Sequence, residues 1–272
     1  MNNKPFNPVL LKELKLRFRN AKSFSSLAFY LIALTIFIVA YFIIVTGIMG
    51  NGYIQPQTSF ILFCCLTMLQ MGLLLFMAPA LTAGSISTER EKQTLNMLLT
   101  TTQTSTQIII GKLMASLAFL VVMLIATLPM YSVLFLFGGV SPKMLGSVFL
   151  IFLLTVFAVG SVGILISTVT KKTIVSMIST YGVTIFLALF TAIFFAVGMV
   201  NHVVDQSANV SYFWISLNPF AVALSIISPD IAIGIKEVTQ VELSPILLYC
   251  IAYMLIGIIS LWIAVRKLRE TK

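Results

Sequence analysis

Four charged residues in succession, Glu89-Arg90-Glu91-Lys92, interrupt a chain that is otherwise nearly free of charge. Two acids beside two bases can cap helix ends, exchange charge-assisted hydrogen bonds or dock against another protein. What enzymatic chemistry would need beside them is missing. The single histidine, His202, has no cysteine or second histidine near it in sequence, and zinc takes about three or four protein ligands, so no metal site is expected. No nucleophile–base set and no buried carboxylate pair can be assembled, which argues against a membrane-embedded enzyme. Gly111-Lys112 suggests a phosphate loop, but that loop requires G-x-x-x-x-G-K-[ST]; Thr106 stands where the first glycine belongs and Leu113 follows the lysine. The chain is therefore expected to carry no ATPase site and no cofactor. Cys64, Cys65 and Cys250 lie in apolar runs and read as reduced residues, not as a disulfide framework.

The elements that must position the charged quartet are apolar. Of 272 residues, 59% are hydrophobic and 9% charged, with a mean hydropathy of +1.07. A soluble domain carries about 25% charged residues. Six segments reach the roughly 20 apolar residues that a bilayer requires: 25–49, 59–84, 107–138, 144–169, 174–200 and 244–265. Pro79 and Pro129 are candidate kinks in the second and third. The run Leu27–Met49 exceeds the about 7–15 residues of a signal-peptide core and is read as a retained span. The expected fold is thus an all-α polytopic membrane protein with six transmembrane helices in a single transmembrane domain over 1–272.

Of the 17 lysines and arginines, only Lys143 and Lys236 fall on one side of these spans, while four of the eight acids lie there. Both termini and the charged quartet are accordingly expected in the cytoplasm. The net charge of +9 reflects topology and an anionic leaflet, with no nucleic-acid partner implied.

Residues 7–22 repeat Leu10, Leu11, Leu14 and Phe18 at helical spacing, with Lys12, Glu13, Lys15, Arg19 and Lys22 elsewhere around the turn. Asn7 can cap this helix, Pro8 suits its first turn, and Glu13 and Arg17 are spaced for an i,i+4 pair. The segment reads as an interfacial amphipathic helix, or more simply as a polybasic topology signal. Residues 88–101 read as a second amphipathic helix: Thr88 and Glu91 fit a capping box, and Leu95, Leu98 and Leu99 form its apolar stripe. Thr104 and Gln107 fit another capping box at the start of the third span. This elbow is a docking surface for a cytoplasmic protein or, more plainly, a loop helix packed on its own spans. Between the last two spans, 201–243 contains the apolar but broken run Tyr212–Ser228, interrupted at Asn218-Pro219; short outer re-entrant helices are expected there.

The stretch from Ile86 to Lys112 resembles the cytoplasmic signature of type-2 ABC transporter permeases, roughly I-x-x-E-R-E-x-x-T-L-x-x-L-L-x-x-P-x-x-x-x-x-I-x-x-G-K. Ile86, Glu89, Arg90, Glu91, Thr94, Leu95, Leu98, Leu99, Ile108, Gly111 and Lys112 fall in register, and Thr102 replaces the usual proline. The layout is similar too: an interfacial helix, six spans and an outer segment with Leu217-Asn218-Pro219-Phe220. The resemblance implies the membrane subunit of an ATP-driven exporter in a bacterial inner membrane, paired as a homo- or heterodimer with a second permease. Two separate cytoplasmic ATPase subunits would hold ATP and Mg. It implies that the helix after the second span is a coupling helix, with Glu89, Arg90, Glu91 and Thr94 as docking residues and Leu95 and Leu98 packing it in place. Leu10, Leu11, Leu14, Arg17 and Phe18 would form the interfacial helix that shares this contact.

Span interiors contain essentially no ionisable residue, which argues against a proton- or sodium-coupled carrier. Gln70, Thr155, Ser161, Ser176, Thr180, Tyr181 and Thr184 are candidates for lining a path, or for helix–helix hydrogen bonds. Gly160, Ser161, Gly163 and Ser167 make a small-residue patch suited to close helix packing, within the chain or between subunits. Lys112 is expected at the interface with its stem snorkelling. Met- and Phe-rich spans suit an amphipathic or hydrophobic cargo such as a peptide, drug or lipid. A membrane sensor that regulates an ATPase through the same elbow, and a stand-alone channel or carrier, are the alternatives.

Overall fold

The computed structural model describes residues 8–19, 21–49, 56–95, 103–205, 209–239 and 243–270. The described residues form helices and turns. Six helices are long and apolar enough to cross a membrane. They are α2 (Ala21–Met49), α3 (Pro56–Thr82), α5 (Ser105–Leu136), α6 (Pro142–Val169), the fifth span, and α12 (Pro245–Glu270). The fifth span is composite. It runs through α7 (Thr173–Ile185), a π turn (Phe186–Phe190) and α8 (Thr191–Asp205). Helix α5, with 32 residues, is about 48 Å long and must tilt in or project from a hydrocarbon core of roughly 30 Å. Both α3 and α5 run on as helix through Pro79 and Pro129.

Helix α6 sits at the centre of the bundle, packed by α3, α5, α7 and α12. Its small residues make this possible. A Cβ at Gly160 would touch Leu113, Leu117 and Thr82, and one at Gly163 would collide with Thr82. The small-residue patch therefore closes contacts within the chain; where an intersubunit role was an expectation, its neighbours are α3, α5 and α7 of the same chain. By contrast α2 and α7 leave broad apolar faces open, with Phe29, Ile43, Ile174 and Ile178 all well exposed.

Buried hydrogen bonds stitch the spans together where no water is at hand. Tyr131 donates to Gln70 Oε1 at 2.6 Å and Gln70 Nε2 donates to Thr127 at 3.1 Å. Thr155 and Tyr249 share a hydrogen bond of 2.7 Å between α6 and α12.

Helix α1 (Pro8–Arg19) begins at Pro8 as expected, while Asn7 lies outside the described residues. It packs along α5, where Phe18 meets Phe119 at 5.9 Å between ring centroids. Leu10, Leu14 and Phe18 are half-buried and Leu11 is exposed. Three short helices follow the fifth span: α9 (Asn209–Leu217), α10 (Pro219–Ile227) and α11 (Pro229–Thr239). At 9 to 11 residues each they are about 14–17 Å long and too short to cross.

The single helix expected over 88–101 is interrupted at Lys92–Thr94; the chain is helical again at Leu95, and 96–101 lie outside the described residues. Helix α4 covers only Ser87–Glu91. Gln93 adopts a left-handed φ of 58°. Thr94 N donates to Glu89 O at 2.9 Å and Gln93 N to Arg90 O at 3.0 Å, the two bonds of a Schellman stop. Leu98 and Leu99 lie outside the described residues; Leu95 is buried.

Candidate functional site

The charged quartet lies where α1, α4 and the near ends of α5, α6 and α7 converge. Val9, Ile86, Leu95, Ile108, Ile109, Leu113, Ile164, Ala264 and Leu268 form a separate apolar cluster at this end. It gives the polar contacts above it a dry floor, which strengthens them.

Lys112 is the hub. Its side chain is 5% exposed, and Nζ donates to Glu13 Oε1 at 3.0 Å and to Glu89 Oε1 at 2.7 Å. One cation thus joins α1, α4 and α5. The expectation that Lys112 snorkels to the interface is corrected: two carboxylates hold its amine inside. The expected Glu13–Arg17 pair is displaced for the same reason. Glu13 turns to Lys112, and Arg17 Nη2 reaches across to Leu81 O at 3.2 Å and Ser116 Oγ at 3.1 Å. Burial lowers the Arg17 guanidinium from its ordinary value, and the nearby Glu13 carboxylate partly offsets this.

Arg90 and Glu91 answer the ends of two spans. Arg90 Nη1 donates to Thr170 O at 2.8 Å, at the C-terminal cap of α6. Glu91 Oε2 accepts from Thr173 Oγ1 at 2.6 Å and from Thr173 N at 3.4 Å, at the first residue of α7. A cation therefore sits at a helix C-terminus and an anion at a helix N-terminus, each where the peptide dipoles favour it. The Thr88–Glu91 capping box is not formed. Thr88 Oγ1 and Glu91 both face Thr173, and the α4 N-terminus is capped instead by Ser167 of α6, whose Oγ accepts from Ile86 N and Ser87 N at 2.9 Å each. The second box is formed: Gln107 N donates to Thr104 Oγ1 at 3.2 Å, and Thr104 N to Gln107 Oε1 at 3.0 Å.

Glu89, Arg90 and Glu91 therefore all bond within the chain, and the most exposed part of the elbow is Glu91–Thr94. Sequence reasoning missed Glu13, Ser167, Thr170 and Thr173 as members of this site. Only Lys112 and Glu13, as charges beside apolar runs, offered a signal. Beside the brace, Glu13, Leu16, Arg17, Leu81, Thr88 and Met177 are among the residues lining a cleft of about 450 Å³.

A second, apolar groove of about 400 Å³ lies between α3 and the fifth span, lined by Gly72, Leu75, Phe76, Tyr181, Thr184, Ile185 and Phe220. Tyr181 donates to Phe76 O across it at 2.9 Å. Among the candidate path residues, Thr184 and Tyr181 face this groove. Gln70, Thr155, Ser161, Ser176 and Thr180 are buried between helices of the protomer, where their side chains hydrogen-bond to neighbouring groups.

Among the described residues, no group of three His, Cys, Asp or Glu could hold a metal. The side chain of His202 lies outside the described residues. Cys64, Cys65 and Cys250 are free thiols. No curated protein matches the chain. Residues 33–266 match the family described as ABC-2 family transporter protein, and the match takes in four complete spans and most of the first and the sixth. With its six apolar helices and its braced elbow, the chain belongs to the ABC-2 transporter family and is a membrane permease of that type.

Proposed function

We propose that this chain is the membrane-spanning subunit of an exporter driven by separate cytoplasmic ATPase subunits, two per transporter, and that it works beside a second permease. ATP and Mg would be held by those subunits. Both termini and the elbow face the cytoplasm in this reading, and α9–α11 form re-entrant outer helices. The observation that carries it is the brace at Lys112, which ties α1, the elbow and the third span into one unit. A push on the exposed edge Glu91–Thr94 would reach the ends of three spans through Lys112, Arg90, Glu91 and Ser167. Glu89 and Arg90 then set the elbow in place, Leu95 fastens it beneath with Leu98 assigned the same part, and Glu91 and Thr94 share the edge offered to the ATPase. Leu10, Leu11, Leu14, Arg17 and Phe18 keep α1 at the interface beside it.

The groove beside Phe76 and Tyr181 supports an amphipathic or hydrophobic cargo, a peptide, drug or lipid, because its lining is almost wholly apolar. The open faces of α2 and α7 support a second permease as neighbour, since large contiguous apolar faces on a protein are covered by lipid or by another subunit. Co-purification tests the reading. A cytoplasmic ATPase should be recovered with the wild type and lost with Glu89→Ala/Glu91→Ala while membrane insertion is retained. Recovery of no ATPase with the wild type would sink it.

A further inference from the structure

The π turn in the fifth span is unexplained by the brace and by the groove. A π turn carries one residue more than the α-turn it replaces and leaves a carbonyl without its usual partner. Thr191 N donates to Phe186 O, which leaves Leu187 O to the Thr191 hydroxyl, and the adjoining Ala188 O and Thr191 Oγ1 are both met by a single side chain from outside the helix. Asn218, 3% exposed, donates from Nδ2 to Ala188 O at 2.8 Å and to Thr191 Oγ1 at 2.9 Å. Thr191 Oγ1 in turn donates to Leu187 O at 2.7 Å. On its other side, Asn218 Oδ1 accepts from Phe220 N at 2.9 Å and Ala221 N at 3.1 Å and so caps α10. All four bonding positions of this amide are used.

The residue before it is held as well. Tyr253 of α12 donates to Leu217 O at 3.0 Å. Tyr253 stacks on Tyr249, with ring centroids 3.9 Å apart, and Tyr249 is bonded to Thr155 of α6. The corner Leu217-Asn218 is thus clamped between a deformed span and two regular ones. Its location matters. Ile185, the last residue before the π turn, and Phe220, two residues after Asn218, both line the apolar groove. Phe186 and Phe190 of the turn, Phe194 of α8 and Trp214 of α9 pack ring against ring, which ties α8 and α9 to the turn.

We propose that the π turn Phe186–Phe190 is a hinge in the fifth span and that Asn218 is the catch that holds it, so that releasing the Asn218–Ala188–Thr191 contacts frees α8 and α9 to swing away from the groove while α10 stays packed on α3 and α6. Helix bends at π turns have this physical basis: the local ladder is already broken, so little backbone bonding is lost on bending. The hinge does not depend on the transport reading; only the groove's role as a cargo path does.

The test uses the purified full-length permease in lipid nanodiscs, without ATPase or cargo. Asn218→Asp keeps the Oδ cap on α10 but loses both donors, and Thr191→Val removes the acceptor and its back-bond. Each should raise amide exchange across 186–192 by on the order of tenfold, roughly the ratio that one net hydrogen bond is worth. Exchange across 151–161 of α6 should stay unchanged, and the effect of the double variant should fall clearly short of the product of the two single effects, because the Asn218–Thr191 bond is counted in both. In a background of Cys64→Ala, Cys65→Ala and Cys250→Ala, a thiol placed by Thr184→Cys should react with a membrane-impermeant maleimide faster when Asn218→Asp is added. No local change, or additive effects, would overturn the catch. A rise that also appears across 151–161 would make Asn218 a global structural residue and would overturn the hinge. Faster local exchange with unchanged thiol reactivity would overturn the link to the groove.

Discussion

Replacing Lys112 with methionine leaves two carboxylates facing an empty position. In the wild type its amine lies 3.0 Å from Glu13 and 2.7 Å from Glu89, and it is almost fully buried. Removing one member of a fully buried ion pair costs about 3–5 kcal/mol. Glu13 and Glu89 are 25% and 28% exposed, so both can regain part of their hydration, and the cost falls to about 2–3 kcal/mol. At about 2–4 °C per kcal/mol for a chain of this size, the midpoint of thermal unfolding in detergent should drop by roughly 4–12 °C. The loss should also be local. Helix α1 is joined to the elbow through this amine, so trypsin should cut at Lys12, Lys15 and Arg19 sooner in the variant. The neutral triple variant Glu13→Gln/Lys112→Met/Glu89→Gln removes the stranded charges and should recover most of the midpoint. An unchanged midpoint and digestion pattern for Lys112→Met, or a triple variant no better than the single, would refute the hub.

Four further outcomes follow from particular contacts. Gln93→Gly should raise stability by about 0.5–1 kcal/mol, because glycine adopts the left-handed φ at the elbow stop without a Cβ penalty, whereas Gln93→Val should lower it; thermal midpoints check both. Gly163→Ala drives a methyl group into Thr82 and should cost about 1–3 kcal/mol, whereas Gly182→Ala meets open space and should cost nothing of that kind, as paired melting curves would show. Tyr131→Phe leaves Gln70 Oε1 without its buried donor and should cost about 1–3 kcal/mol, measured the same way. Thr104→Ala removes a formed capping box and should cost about 1 kcal/mol, with faster amide exchange confined to the first turn of α5.

What the sequence made legible was what depends on composition and on neighbours in the chain. The six spans were found within a few residues because hydrocarbon thickness dictates their length. The Thr104–Gln107 box was found because both partners lie within one turn. The misses involve partners far apart in the chain. Thr88 and Glu91 had the spacing of a box, but Ser167 and Thr173, some eighty positions away, offered better geometry. Glu13 and Arg17 had the spacing of a pair, but Lys112 and the Leu81 carbonyl took them. The stop after Glu91 was hidden because Gln93, not a glycine, holds the left-handed position. The π turn left no trace in hydropathy, although Asn218, a polar side chain in an apolar run, marked where its partner would be. At the elbow, sequence alone pointed to a charged front; the folded chain turns Arg90 and Glu91 toward helix ends of its own and Glu89 toward Lys112.

The most direct measurement places a photo-crosslinking amino acid at Gln93, on the exposed edge of the elbow, in the full-length protein in its native membrane. The account predicts a covalent adduct with a cytoplasmic ATPase, lost when Glu89→Ala/Glu91→Ala unseats the elbow and absent when the crosslinker stands instead at Phe213 of α9. Adducts only with lipid at Gln93, or an ATPase adduct from Phe213, would contradict it.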